Sequence, residues 1–281
     1  MTEPRGALGR RLLHATAHRA TAMRWQLQAS PANTLAWLRD RLQRGHYRSL
    51  SVPELLATRT ADTVYVFGSG ASLNALTTAD WRAIERRNTV SFREFPRQSF
   101  VRVDYHVTGE VDDPDDYAQR LRNNPRYSNA VIAVQEGWRA VAGNTLVGRR
   151  LLPVGNRLFR YRRTERGRYA PPSQSFDRGL VHGFGSAISV TNFAYLMGWR
   201  TIVLAGVDLY DKRYFWLPEG ELRSYEKAGL SVTSPFTGAE DMVSMLGQWR
   251  EILARQGVRL EVLNPRSLLA AVMPVHRFSD T

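Results

Sequence analysis

The chain has 281 residues, no cysteine and a formal charge of +13, with 39 Lys and Arg against 26 Asp and Glu. Disulfide frameworks and thiolate metal sites are thereby excluded, and a 43% hydrophobic content with seven Trp argues against general disorder. The positive balance favours anionic partners, whether nucleic acid, acidic membrane surfaces or phosphorylated and carboxylated substrates, and the length allows one large domain or a domain with an appendage.

Residues 1–60 read as a basic, helical N-terminal extension. In ALGRRLLHATAHRATAMRWQLQ, Leu8, Leu12, Ala15, Ala22 and Met23 fall near one face at helical spacing, although Arg19 interrupts the stripe. Ser30 and Pro31 break the pattern, and TLAWLRDRLQ supplies a second helix. Such an arm either packs on the main domain or lies on an anionic membrane. No apolar run approaches the roughly eighteen residues of a membrane span, and the N-terminus lacks the apolar core of a secretory signal. The expected location is cytoplasmic, with any membrane contact peripheral.

From residue 61 onward strands and helices alternate, which implies an α/β, doubly wound, mainly parallel sheet. TVYVFGSG reads as a buried strand and turn, with Ala71 and Ser72 opening a helix, and LTTADWRAIERR as a helix capped by Thr77 or Thr78. TVSFREF and VRVDYHVTG are strands, DDPDDYAQRLRN a helix with acid at its positive end, and NAVIAVQEG a further strand. The Arg-rich stretch NRLFRYRRTERGRYAPPSQSFDRG reads as irregular and exposed. SAISVTNFAYLMGW is a helix leading into the strand RTIVLAGVDLY. Residues 211–240 lack a clean period and read as a lid. AEDMVSMLGQWREILARQG is an amphipathic helix and VRLEVLNP a last strand.

Two places carry chemistry. The turn Gly68-Ser69-Gly70-Ala71-Ser72 allows close backbone approach to an anion, yet it lacks the third glycine of a dinucleotide fingerprint and the GKS or GKT of a phosphate-binding loop. The strand ending in Gly206, Asp208 and Tyr210, with Tyr214 beyond, should reach the same carboxyl rim of the sheet. Asp208 serves equally as a cap, and either tyrosine as half-buried packing.

Three segments together resemble the bacterial sialyltransferases of glycosyltransferase family 42. GSGASL at 68–73 is similar to that family's glycine turn, FGSAISVTNFAYLMGWRTIVLAGVDLY at 184–210 to its serine-led helix and following strand, and NPRSLLA at 264–270 to its late Asn-Ser-Leu-Leu-Ala motif. The ordered match spans about residues 62–275. The resemblance implies a glycosyltransferase-A-like fold, a CMP-activated donor and no metal or other cofactor. It places Tyr210 and Tyr214 on the departing phosphate, and Gly68, Ser69, Gly70, Ser72, Ser186 and Asp208 around the nucleotide. Arg93, or its neighbour Glu94, stands where the family has a nucleotide-contacting Asn, which points to a sialic acid relative or another CMP-activated acidic sugar as donor. The family's general base is a His in the lid, whereas SVTSPFTGAED here contains none. His182 is the candidate substitute, with His106, Asp211 and Glu240 as further options. Arg160, Arg162, Arg163, Arg166 and Arg168 could grip an acidic donor or a glycan or glycolipid acceptor in polysaccharide biosynthesis.

Other readings stay open. A pterin pyrophosphokinase-like enzyme would need magnesium carboxylates, for which Asp104, Asp112 and Asp113 are the evident cluster. A nucleotide-binding relative without turnover is another. Nucleic-acid binding accounts for the charge, but no recognised module appears. The oligomeric state, including a homo-oligomer, is open.

Overall fold

A computed structural model describes residues 31–42, 45–109, 111–164, 169–221 and 238–278. Its centre is a seven-stranded, wholly parallel sheet: β1 (Thr63–Phe67), β2 (Asn88–Phe92), β3 (Tyr105–Val107), β4 (Val131–Gln135), β5 (Arg157–Tyr161), β6 (Thr201–Ala205) and β7 (Arg259–Val262). The spatial order is β5-β4-β3-β2-β1-β6-β7. The chain thus steps outward from β1 to β5, returns across the sheet, and lays β6 on the other side of β1. The gap between the carboxyl ends of β1 and β6 is where the winding reverses, and crevices at such points are the ligand sites of open α/β sheets.

Both faces are covered, which is why β1 and β6 read as nearly unbroken apolar runs. Val64, Val66, Ile202 and Leu204 face a cluster completed by α6 (Ser186–Leu196) and α7 (Ala239–Ala254). Tyr65, Phe67, Val203 and Ala205 face the opposite cluster, built with α3 (Thr78–Glu85), α4 (Pro114–Asn123) and α5 (Val141–Gly148). Ser51 caps α2 (Val52–Leu56) and Thr77 caps α3, each in a reciprocal arrangement with the acid three residues on, Glu54 and Asp80, and Asp113 caps α4 by accepting from the amides of Asp115 and Asp116. Neither sheet edge is bare. Residues 48–50 pair with β5 and residues 274–276 with β7.

Three local expectations are corrected. Residues 157–161, read as irregular, are the edge strand β5, and Arg160 is not exposed there but donates twice to the Asp40 carboxylate at 2.7 Å. Arg157 and Arg160 hid the strand, because Arg160 finds its carboxylate partner only in the tertiary structure. Helix α5 was not anticipated, since Gly143 and Gly148 depress its intrinsic propensity and packing decides instead. After the glycine turn comes a short 3-10 helix, Ala71–Ala75, rather than an α-helix. Helix α1, residues 31–42, belongs to the N-terminal extension and packs on the domain. Asn33 donates to the Trp138 carbonyl at 2.7 Å, and Asn144 donates to Asn33 at 2.9 Å. The stripe expected over residues 8–23 lies outside the described residues, as do Arg166, Arg168 and residues 222–237 of the anticipated lid.

Candidate functional site

The turns after β1 and β6 touch backbone to backbone. Gly68 N donates to Ala205 O and Gly70 N to Gly206 O, both at 2.7 Å. A Cβ on Gly68 would stand 2.3 Å from Gly206 O, and one on Gly70 2.2 Å from Asp208 Oδ2. These glycines are therefore required by the approach of protein to protein. Their amides are already spent, as is that of Ala71, which donates to Arg213 O at 3.2 Å. A cradle of free amides, the simplest reading of GSGAS, is not what this turn provides.

Asp208 is the hub of the rim. It is 4% exposed and accepts from Ser72 N at 3.0 Å, Ser72 Oγ at 2.5 Å and Asn264 Nδ2 at 2.9 Å. Its carbonyl accepts from Leu268 N, while Ser267 Oγ donates to Val207 O at 2.7 Å. The glycine turn, the β6 exit and the NPRSLLA segment, scattered over 200 residues of sequence, thus meet on one carboxylate. Three donors satisfy a buried charge that would otherwise be costly.

Beside this hub a cavity of about 200 Å³ opens to solvent at the β1/β6 reversal. Its wall includes Ser69, Gly70, Arg93, Ser186, Asp208 and Tyr214. Ser186 is the first residue of α6, and the amides of Ser186 and Ala187, both in the wall, have no acceptor among the described residues, while Ile188 N donates to Gly185 O; the macrodipole favours an anion there. Arg93 has φ 53°, a left-handed conformation uncommon for a residue with a side chain, and it pairs with no carboxylate among the described residues. Tyr214 is held by a bridge between residues 214 and 70, reinforced by Phe215 N donating to Ser69 O at 3.1 Å. Asp211 and Arg213 also line the cavity. Arg213 donates through Nε to Asp211 at 2.7 Å, and that bond holds the guanidinium pKa above its ordinary value.

The remaining expected residues lie elsewhere. Gly68 and Ser72 support the rim from behind the wall, and Tyr210 sits outside it, with the Arg266 guanidinium 5.6 Å from its ring centre. Burial, followed by the Asp208 charge, raises the Tyr210 pKa. His182 does not line the cavity. Its ring contacts Arg163 Nη2 at 2.9 Å and Ser189 Oγ at 3.0 Å. His106 lies in mid-strand at 0% exposure, bonded to Ser91 Oγ at 2.7 Å and to the Tyr117 hydroxyl, and burial pushes its pKa down to about 3. That environment removes it from the choice of bases. Glu240 stands exposed in the first turn of α7, outside the wall. Arg162 pairs with Glu136 at the surface.

The carboxylates proposed for magnesium do not gather. Asp104 precedes β3 and accepts from Thr89 N at 3.0 Å, whereas Asp112 and Asp113 follow β3 at its other end, with Asp113 spent as a cap. Among the described residues no group of three or more His, Asp or Glu could hold a metal ion. Sequence reasoning missed Arg213 and Phe184 in the wall and Asn264 on the hub. Two of them carried a signal, Phe184 as the first residue of the 184–210 segment and Asn264 in NPRSLLA.

No family model and no curated protein matches the chain. Among solved structures it is similar to the sialyltransferase Cst-II in complex with CMP. A tyrosine-to-phenylalanine variant matches at TM-score 0.47 and 13% identity, and an asparagine-to-alanine variant at 0.49 and 14%, each over 78% of this chain and 88% of that one. The monofunctional α-2,3-sialyltransferase Cst-I from Campylobacter jejuni matches at TM-score 0.46 and 11% identity, over 79% of this chain and 84% of that one.

Proposed function

We propose that the chain is an inverting, metal-independent glycosyltransferase that takes a CMP-activated acidic sugar, sialic acid or a relative, and transfers it to a glycan or glycolipid acceptor. The observation that carries the reading is the cavity at the β1/β6 reversal, where Arg93, the amino end of α6 with Ser186, and Tyr214 converge on one space. A guanidinium that pairs with no carboxylate among the described residues, on the same cavity wall as a helix start, suits the phosphate of a nucleotide. The ordered motifs at 68–73, 184–210 and 264–270 add the choice of CMP.

In the reaction an acceptor hydroxyl oxygen forms a bond to the anomeric carbon as the bond to the phosphate oxygen breaks. Charge develops on the departing CMP, and in this reading Arg93, the Tyr214 hydroxyl and the α6 amides meet it. The acceptor proton passes to Asp211, the carboxylate in the wall that does not belong to the Asp208 hub. Tyr210 and His182, outside the wall, hold neighbouring segments. No observation favours the pyrophosphokinase reading.

The test is titration of CMP in the presence of EDTA, followed by turnover with CMP-activated acidic sugars. Wild type should be stabilised against heat by CMP without metal. Arg93→Ala should weaken CMP by about 30-fold or more, and Asp211→Asn should slow transfer by about 10²-fold while His182→Asn does not. Silence toward CMP, or a response to ATP that requires magnesium, overturns the proposal.

A further inference from the structure

Helix α1 is turned inside out relative to an ordinary surface helix. Its inward positions, at spacing i, i+3, i+7, are Asn33, Ala36 and Asp40, all buried. Both polar members are satisfied there, Asn33 by Trp138 and Asn144, Asp40 by the two bonds from Arg160. Its outward positions, at the same spacing, are Leu35, Leu38 and Leu42, at 54%, 43% and 84% exposure. A helix that spends its polar side chains on the core and shows leucines to solvent has a partner for the leucines.

The flanks of the stripe identify that partner. On one side Arg41 lies 4.5 Å over the Trp37 ring, and Trp37 meets the half-exposed Trp138 edge-on at 5.9 Å. On the other side Arg39 lines a shallow cleft with Arg149 and Arg150. Neither Arg39 nor Arg41 pairs with a carboxylate among the described residues. Leucines flanked by arginine on both sides, with tryptophan at the margin, match a helix lying in the plane of an anionic bilayer: apolar side chains enter the acyl boundary, tryptophans sit at headgroup depth and guanidiniums reach the phosphates.

Charge decides against the two other occupants. The preceding segment, residues 1–30, carries five Arg and one Glu, so folding it back would bring cations onto cations. A two-fold pairing of copies through this face would likewise oppose Arg39 and Arg41 with their own equivalents.

We infer that the outer face of helix α1, Leu35-Leu38-Leu42 with Arg39 and Arg41, is a docking surface for an anionic lipid bilayer. The test is co-sedimentation of the full chain with phosphatidylcholine vesicles, with and without phosphatidylglycerol, at physiological salt. Wild type should pellet with the anionic vesicles only. Leu38→Glu with Leu42→Glu should lower the partition coefficient by about 10-fold or more. Arg39→Gln with Arg41→Gln should lower it and flatten its salt dependence. Leu42→Glu alone changes the most exposed position and keeps the test decisive should the double variant fail to fold. The inference is overturned if wild type stays in the supernatant. It is overturned equally if the leucine variants pellet like wild type, which would assign binding to residues 1–30. It falls too if they alter only the sedimentation coefficient of the free protein, which would make the face a contact between copies.

Discussion

Two regions of this molecule offer the same kinds of side chain and have opposite characters. Under α4, Ser91, His106, Tyr117 and Tyr127 form a closed hydrogen-bonded cluster. Ser91 Oγ contacts His106 Nδ1 at 2.7 Å and the Tyr127 hydroxyl at 3.1 Å, and His106 Nε2 reaches the Tyr117 hydroxyl. At the β1/β6 reversal, Ser69, Ser186, Asp211 and Tyr214 surround open space with Arg93. Burial raises both tyrosine pKa values in the first region and lowers that of His106, so every member stays neutral. The second region keeps a cation and helix-end amides in reach of a ligand. A Ser, a His and a Tyr close in space do not make a site; unspent polar capacity beside a cavity does.

The rim is where a single substitution does most damage. Gly70→Ala would place a methyl group 2.2 Å from Asp208 Oδ2 and 2.9 Å from Gly206 O, where backbone and a bonded carboxylate cannot yield cheaply. A loss of about 2–3 kcal/mol in denaturant unfolding is expected, and an unchanged midpoint would mean that the two turns are not locked together. Next is the cavity wall. Tyr214→Phe should reduce turnover by about 10²-fold with little change in Tm if, as proposed, its hydroxyl meets the departing phosphate; an undiminished rate would remove Tyr214 from the leaving-group side.

The buried cluster sharpens the contrast through pH. His106 has a folded pKa near 3 against an ordinary 6.5, so the unfolded chain binds a proton that the folded chain refuses. This stabilisation is complete above pH 6.5 and is lost as pH falls toward 3, at up to about 1.4 kcal/mol per pH unit. His106→Gln should flatten the stability profile in that window by about one proton, and a slope equal to wild type would show that the imidazole titrates freely. The smallest effect belongs to Tyr210→Phe. Outside the wall and against Arg266, its hydroxyl should matter less than about 3-fold in turnover. A loss matching that of Tyr214→Phe would bring Tyr210 into the reaction after all.

Much of the frame was legible in order along the chain. The apolar runs of β1 and β6, the Thr77 and Asp113 caps and the period of α7 are local, because strand burial, cap hydrogen bonds and helix amphipathicity depend on neighbours a few residues away. Strand β5 and helix α5 were not legible, since the first is stabilised by the Arg160–Asp40 pair across 120 residues and the second folds against propensity. Within the candidate site the sequence marked the rim correctly as a place where Gly68, Gly70, Asp208 and Tyr214 come together, yet it could not divide their labour. Gly70 and Asp208 turned out to serve the meeting of two turns, and Arg213 entered the cavity wall from a segment read only as lid.

The amino-acid sequence alone determined the alternation of elements, the cationic balance and the ordered motifs at 68–73, 184–210 and 264–270. Only the tertiary structure decided which polar groups are already satisfied and which remain for a ligand. The physical reason is that a hydrogen bond is spent between residues distant in sequence, as Ser72 with Asp208 and Ser91 with His106, and residue identity alone carries no record of its partner.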